Sequence, residues 1–304
     1  MIGFILRRVF QAVILIKFVL VFIFLLLHLT GDPVAVMAPD GATQEDLVLL
    51  RQQMGFDKPL LTQYINFFSG VLRGDFGESF EHGEPALKIV LERLPATLQL
   101  ASVAFILSII LGIPFGCLAA LKEKSAFDQF LMAGTVLGQA VPNFWLGLMM
   151  ILVFSVHLGL LPSFGRGGPT NLIMPAFAAA SFQMARLARL MRSEMIEVLR
   201  QDYILTARSK GVIEKLVVFK HALKNCSIPI VTVLGLDLGI MLGGTVIIET
   251  VFAWPGIGRL TVQAIQNRDF PIVQVSVFLL ASIFVFINMM VDIIYTYLDP
   301  RIEY

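Results

Sequence analysis

Six long apolar stretches separated by shorter polar segments dominate the pattern of this chain of 304 residues. A helix of about 20 apolar residues crosses the ~30 Å hydrocarbon core of a bilayer. The pattern therefore predicts an all-α integral membrane protein with six transmembrane helices. The six stretches cover residues 9–29, 97–120, 130–158, 172–190, 229–251 and 272–298.

The polar segments differ in charge, and the difference predicts an orientation. Arg7 and Arg8 precede the first stretch, and Lys122 and Lys124 follow the second. Because segments rich in lysine and arginine stay on the cytoplasmic side, both termini are predicted to be cytoplasmic. The predicted division is an N-terminus with the first helix (1–29), an extracytoplasmic region (30–96) and a five-helix core (97–304).

The composition agrees with a membrane protein. Hydrophobic residues make up 57% of the chain and charged residues 15%, whereas a soluble domain carries about a quarter charged residues. The net charge of +1 gives no indication of a nucleic-acid partner. Within the extracytoplasmic region, Thr43 is a candidate N-cap for a helix near 43–54, and Tyr64–Leu72 is a second helical candidate.

Two local patterns bear on how the predicted spans pack. The sequence PNFW at 142–145 interrupts the third span, and a proline inside a transmembrane helix kinks it and frees backbone groups. The fourth span is rich in alanine, which permits close helix packing. Its alanines are Ala176, Ala178, Ala179 and Ala180.

One polar stretch, residues 196–229, stands between the fourth and fifth spans. Seven cationic side chains lie between Arg192 and Lys224, which predicts a cytoplasmic location. Its helical pattern is interrupted at Gly211 and resumes until Pro229. We therefore expect two short helices joined at a glycine, forming a protruding cytoplasmic loop at about 192–228.

A few ionisable residues lie inside the predicted spans. Asp237 is near the middle of the fifth span, where an aspartate costs about 2.5–3.5 kcal/mol, so we expect it to face a cavity or a partner. It either lines a translocation path, where it would meet a cationic group of the substrate, or forms a hydrogen bond to another helix or subunit. For Asn288 and Asp292 in the last span, an interhelical hydrogen bond is favoured over a path role. Glu249, near the outer end of the fifth span, is expected to reach water.

The sequence contains no pattern typical of an enzyme active site. It lacks HExxH, a Walker A lysine, G-x-S-x-G and CxxC, and its histidines are isolated. Cys117 and Cys226 are predicted to stay reduced near the cytoplasmic face. We therefore expect no catalytic residues, no metal site and no cofactor bound by this chain.

The polar stretch is the point at which the sequence resembles a known family. DYILTARSKG followed by KHALKNCSIPI resembles the cytoplasmic EAA loop of ABC-importer permeases. Five other motifs resemble the dipeptide/oligopeptide/nickel branch, in particular its B-type subunit, and the resemblance runs essentially from end to end. These motifs are GDP at 31–33, MGFDKPLLTQY at 54–64, GVLRGDFGESF at 70–80, LPATLQL at 94–100 and ETVFAWPGIGRL at 249–260.

The resemblance implies a type I ABC importer permease fold in which this loop docks on a cytoplasmic ATPase subunit. Leu205 stands where the family signature has its glutamate, a position at which the peptide branch often departs. A glycine at 211 allows the sharp turn between the two helices. The residues implied in coupling are Leu205, Thr206, Ala207, Arg208, Lys210 and Gly211.

The resemblance also implies partners. These are a second homologous permease forming a heterodimer, two ABC ATPase subunits that bind ATP and Mg, and an extracytoplasmic substrate-binding protein, all at the cell inner membrane with its lipids. The expected cargo is di- and oligopeptides. Alternatives are nickel chelates, glutathione, and sugars or opines carried by the same machinery. A stand-alone secondary transporter, which belongs to a different class, would predict inverted repeats that the sequence does not display.

Overall fold

The computed structural model describes residues 2–29, 34, 43–53 and 55–298, and within them the chain is helical apart from turns and one isolated bridge between Glu78 and Pro85. The GDP motif at 31–33 and the tail from 299 onwards lie outside the described residues. The first helices are α1 (Ile2–Leu29), α2 (Gln44–Gln53), α3 (Leu60–Leu72), α4 (Ala86–Leu121) and α5 (Ala126–Ala140). Next come α6 (Asn143–Met150), which continues as a π-helical segment (Ile151–His157), α7 (Pro169–Leu199), α8 (Asp202–Ser209) and α9 (Glu214–Leu216). A second π-helical segment (Val217–Ala222) leads into α10 (Leu223–Val251), followed by α11 (Ile257–Gln266) and α12 (Phe270–Leu298).

Each of the six predicted spans lies within these helices, which confirms the all-α prediction. Among the described residues, segments of α1, α4 and α12 are each long and apolar enough to cross a membrane as one helix. Two bent pairs raise the number to five, namely α5 with α6 and its π-helical extension, and 214–227 with 229–241. The remaining predicted stretch lies in α7, which does not reach the same apolarity because alanines, Gln183 and three arginines occupy it.

The first of two compact units comprises residues 1–96 and 255–289. Its core brings the first turns of α4 together with α11 and α12 through Ala86, Ile89, Val90, Ile257, Leu260, Ala264, Ile272 and Val275. Phe76 joins this core, and its ring centroid lies 5.3 Å from that of Phe278. The unit therefore assembles from two parts of the chain that are far apart in sequence.

The predicted cap of α2 is present in this unit. The Thr43 hydroxyl accepts the Asp46 N–H at 3.3 Å and donates to the Asp46 carboxylate at 2.7 Å. The Thr43 N–H also donates to that carboxylate, at 2.9 Å. This reciprocal pair is a capping box, and the Thr43 side-chain hydrogen bond holds the pKa of Asp46 below its ordinary value.

The second unit comprises residues 97–254 and 290–304, and α7 is its central helix. It packs against α10, α5 and α6. The four predicted alanines are all buried, which confirms the close packing expected of this span. The helix α4 also approaches α7 closely, because a Cβ at Gly116 would lie 2.5 Å from the Ala188 carbonyl oxygen.

The third predicted span is broken more sharply than a proline kink would make it. The helix α5 ends at Ala140, Pro142 precedes α6, and the two halves are bent by 106°. The N–H of Val141 still donates to Leu137, but Pro142 has no N–H to continue the ladder.

The helix α4 contains the second predicted span and extends beyond it, since it begins at Ala86 and its amphipathic first turns bury Ile89 and Val90 in the first unit. One expectation needs correction. Glu249 was expected to reach water, but its side chain is fully buried and accepts a 2.7 Å hydrogen bond from Thr97.

Candidate functional site

The predicted cytoplasmic loop ends its first short helix with a defined turn. The helix α8 is followed by Gly211 with φ +78°, in the left-handed region. The Gly211 N–H donates to the Arg208 carbonyl at 2.9 Å, and the Val212 N–H donates to the Ala207 carbonyl at 3.2 Å. These two bonds form a Schellman motif, which is why a glycine is favoured at this position.

The side chain of Ile204 anchors the loop to the helices that flank it. Ile204 is fully buried in a core cluster that also contains Met191 and Met195 of α7 and Cys226 and Ile230 of α10. Ala207 and Val212 pack partly buried against the same cluster, so both sides of the glycine turn are attached to it. The Asn225 amide of α10 also donates to the Tyr203 hydroxyl at 2.8 Å. The loop is therefore fixed to both helices that flank it.

The loop also exposes several large apolar side chains. Leu205, Ile213, Leu216 and Phe219 are 52%, 64%, 47% and 69% exposed. We call these four residues the coupling patch. Several exposed large apolar side chains within 15 residues of a segment predicted to face the cytoplasm, rather than lipid, are typical of a protein–protein contact.

One cation of the loop is already paired within the loop itself. Arg208 donates to Glu214 through two nitrogen atoms, at 2.6 and 3.1 Å, across the glycine turn. The Arg208 and Glu214 side chains are 38% and 57% exposed, so this pair contributes less than about 1 kcal/mol to stability. Lys210, the next cation along the loop, is exposed at the end of α8.

Two ion pairs that sequence reasoning missed brace the start of this loop. Arg192 donates to both oxygens of Asp128, at 2.6 and 2.7 Å, and Asp128 is buried. Arg200 donates to Glu123 at 2.8 and 3.1 Å. The partners are 64 and 77 residues apart, so spacing along the chain could not reveal them. The Ser125–Asp128 cap at the start of α5 was the one local signal available.

Asp237 is buried inside the second unit and pairs with another helix. Its Oδ1 accepts the Arg186 guanidinium at 2.8 Å, and the aspartate side chain is 3% exposed. Among the described residues, its Oδ2 is buried without a hydrogen-bond partner. Arg186 of α7 is therefore the ion-pair partner of this aspartate of the predicted fifth span.

The other two predicted path residues show different surroundings. The Asn288 amide donates to the Phe284 carbonyl of its own helix at 2.8 Å, not to another helix. Asp292 lies one turn further along α12 and is partly exposed. A role of these two residues and Asp237 in a translocation path stays a prediction.

Comparison with known proteins identifies the family. Residues 112–304 match the family described as "Binding-protein-dependent transport system inner membrane component". The chain belongs to this family. Residues 1–101 of the permease match the corresponding N-terminal family, described as "Binding-prot-dependent transport system membrane comp, N-term".

Full-length relatives place the permease in the peptide-transport branch. A protein of Brucella suis biovar 1 (strain 1330) that is named as a peptide transport system permease is 43% identical over 313 residues, covering 100% of both chains. The glutathione transport system permease protein of Salmonella typhimurium (strain LT2) is 37% identical over 305 residues, again covering 100% of both. This chain is therefore a multi-pass membrane permease subunit of the peptide-family ABC importers.

A solved structure supports the fold. The MetNI methionine ABC transporter, in inward-facing conformations, matches with a TM-score of 0.57 and 17% identity, over 70% of this chain and 97% of that chain. At this identity the likeness concerns the fold alone. It confirms the prediction of an ABC importer permease fold.

The permease also contains a polar cluster in its first unit that sequence spacing did not predict. The Ser79 hydroxyl donates to the buried Asp269 at 2.5 Å and lies 3.2 Å from His82 Nδ1. Glu81, His82 and Asp269 place one ligand atom each within 4.8 Å of one another. The isolated histidines of the sequence gave no sign of this grouping, because Asp269 comes from a distant part of the chain.

Proposed function

We propose that the chain is one permease subunit of an ATP-driven importer of short peptides at the cytoplasmic (inner) membrane. In this proposal it forms half of the translocation pathway with a second, homologous permease. Two ATPase subunits bind ATP and Mg on the cytoplasmic side, and an extracytoplasmic binding protein delivers the cargo. The coupling patch on the anchored cytoplasmic loop is the observation that carries the proposal.

The exposure of the patch supports docking of a protein surface. Burying a Leu, Ile or Phe side chain completely stabilises a complex by about 1.5–3 kcal/mol. Four such side chains, each about half exposed or more, are enough for the centre of an interface. The glycine turn holds them in one arrangement before docking, which lowers the entropy cost of binding.

The anchoring of the loop supports transmission of movement. Ile204 and the α7 residues Met191 and Met195 belong to one buried cluster, which also includes Ile230 of α10. Because a close-packed cluster is not easily compressed, a displacement of the loop by an ATPase is passed to both helices. In this way ATP binding elsewhere would change the arrangement of the membrane-spanning helices.

The proposal can be tested by charge substitutions in the patch. Leu205→Asp and Phe219→Asp should abolish co-purification of the ATPase subunits in mild detergent and ATP-driven peptide uptake in proteoliposomes. Leu205→Met and Phe219→Leu, which keep an apolar side chain, should retain both. Retention of ATPase subunits and uptake by both aspartate variants would refute the docking assignment. Peptide transport by the chain alone, without ATP, would instead support a secondary transporter.

The peptide cargo rests on the names of the relatives, which include peptide and glutathione permeases. A thermal-shift screen of the associated binding protein distinguishes the alternatives. Stabilisation by di- and tripeptides would support the proposal, whereas stabilisation only by glutathione, nickel chelates, or sugars or opines would replace peptides as the cargo.

A further inference from the structure

A polar cavity of about 280 Å³ in the first unit has one acidic residue, Glu81, in its lining, which also includes His82 and Arg93. Glu81 lines this cavity together with Asn267, and the Asn267 amide donates to the Glu81 carboxylate at 2.7 Å. The hydrogen bond fixes the position of the carboxylate, so Glu81 is oriented before any ligand arrives. An oriented carboxylate on a cavity wall is suited to accept N–H groups from an ammonium ion.

A second cavity of about 220 Å³ has cationic residues on its walls. Arg93 of α4 and Arg259 of α11 both line it, and Gly256, the residue before the first turn of α11, lines it as well. Two guanidinium groups match the geometry of a carboxylate, and the positive end of a helix dipole adds to the attraction. This cavity is suited to an anion.

The two cavities are neighbours, because Arg93, Leu260 and Gln263 line both of them. We call the pair the outer groove, since its residues lie in segments that the charge pattern predicts to be extracytoplasmic. Each cavity alone is smaller than the ~300–1,000 Å³ of typical ligand pockets, and the two together fall in that range. The groove therefore offers an acidic end, a cationic end and an amide side chain in the shared wall.

We propose that the outer groove binds a short peptide through its two charged termini. Arg93 and Arg259 receive the carboxylate, and Glu81 receives the α-ammonium group. Gln263, in the wall that the cavities share, can exchange hydrogen bonds with the peptide backbone. The inference rests on the proposed function for its choice of peptides, and it adds a cargo site on the permease itself.

The test uses the purified importer complex without its binding protein. A radiolabelled tripeptide with a photoreactive side chain is cross-linked to the complex, and mass spectrometry locates the labelled residues. Unlabelled tripeptides then compete in three forms: free, N-acetylated and C-amidated. On the wild-type complex, each blocked form should compete about tenfold more weakly than the free form, because one charge-assisted contact is lost.

Variants test which charged residues bind each terminus of the peptide. With Arg93→Gln and Arg259→Gln combined, the free and amidated peptides should compete equally, whereas acetylation should still weaken competition. With Glu81→Gln the free and N-acetylated peptides should compete equally, whereas C-amidation should still weaken competition. Arg73→Gln, a change at an exposed cation that lines neither cavity, should reproduce the wild-type pattern.

Three results would overturn the inference: cross-links outside the groove, equal competition by free and blocked peptides on the wild-type complex, or displacement by the binding protein but not by peptides. The last result would make the groove a protein contact. ATP-driven uptake by the same complex is measured in parallel. A loss of ATP-driven uptake in the coupling-patch variants tests the proposed function. It gives no information on peptide binding in the outer groove.

Discussion

Replacing Gly211 tests whether the shape of the cytoplasmic loop controls coupling. Gly211 has φ +78°, and a Cβ added there would meet nothing within 4 Å. Steric clash of an added Cβ with the rest of the chain is therefore excluded as a cause of the effect of Gly211→Ala. What remains is the backbone cost of the left-handed conformation, which is about 1–2 kcal/mol for an ordinary L-residue.

This magnitude sets an order among variants. A cost of 1–2 kcal/mol lowers the population of the correctly turned loop by about 5–30-fold. Gly211→Ala should therefore reduce peptide uptake per ATP hydrolysed, and Gly211→Val should reduce it further because a β-branched residue tolerates a positive φ least. Gly211→Asn should lie closest to wild type, since asparagine visits this region routinely.

The assay compares uptake and binding-protein-stimulated ATP hydrolysis in proteoliposomes with equal amounts of each assembled variant. Expression and retention in the membrane should be similar for all of them, because the turn is exposed. Coupling that is equal in the Ala, Val and Asn variants, or worse for Asn than for Val, would show that the left-handed turn does not control docking.

Three further predictions concern buried groups and use the free energy of unfolding in detergent. Ile204→Ala removes the fully buried anchor of the loop and should lower this free energy by about 2–5 kcal/mol; a loss below 1 kcal/mol would contradict its role. Asp128→Ala should lower it by about 2–3 kcal/mol, and a double-mutant cycle with Arg192→Ala should give a coupling energy of at least about 1 kcal/mol. Arg186→Ala should be more damaging than Asp237→Ala, because it leaves a carboxylate that is 3% exposed without its partner, whereas the arginine is 38% exposed. Adding Asp237→Ala to Arg186→Ala should then restore part of the lost stability, and equal damage by the two single changes would refute this asymmetry.

The sequence predicted the elements well where apolar length or turn chemistry determines structure. The helices that contain the six apolar stretches, the cap at Thr43 and the interruption at Gly211 were visible because each depends on neighbouring residues. The start of α4 was missed because its first turns are amphipathic, and a search for continuous apolar residues passes over them.

The candidate site was less predictable because its contacts join residues that are far apart along the chain. The pairs Arg192–Asp128 and Arg186–Asp237 join residues 64 and 51 positions apart, so only packing reveals them. Arg208 was considered a contact for an ATPase subunit, and its pairing with Glu214 depends on how the chain returns after the glycine turn. The burial of Glu249 was also missed, because its hydrogen-bond partner Thr97 lies on another helix.

The break between α5 and α6 has a consequence for biogenesis. The helix α5 has 15 residues, which at ~1.5 Å per residue is about 22 Å, too short to cross ~30 Å of hydrocarbon alone. Both α5 and α6 pack against α7, which is synthesised after them. The main protein surface that covers the broken segment therefore becomes available only when Pro169–Leu199 has left the ribosome. A nascent chain stopped before residue 169 should accordingly remain accessible to the insertion machinery, and its integration should be completed only when α7 arrives.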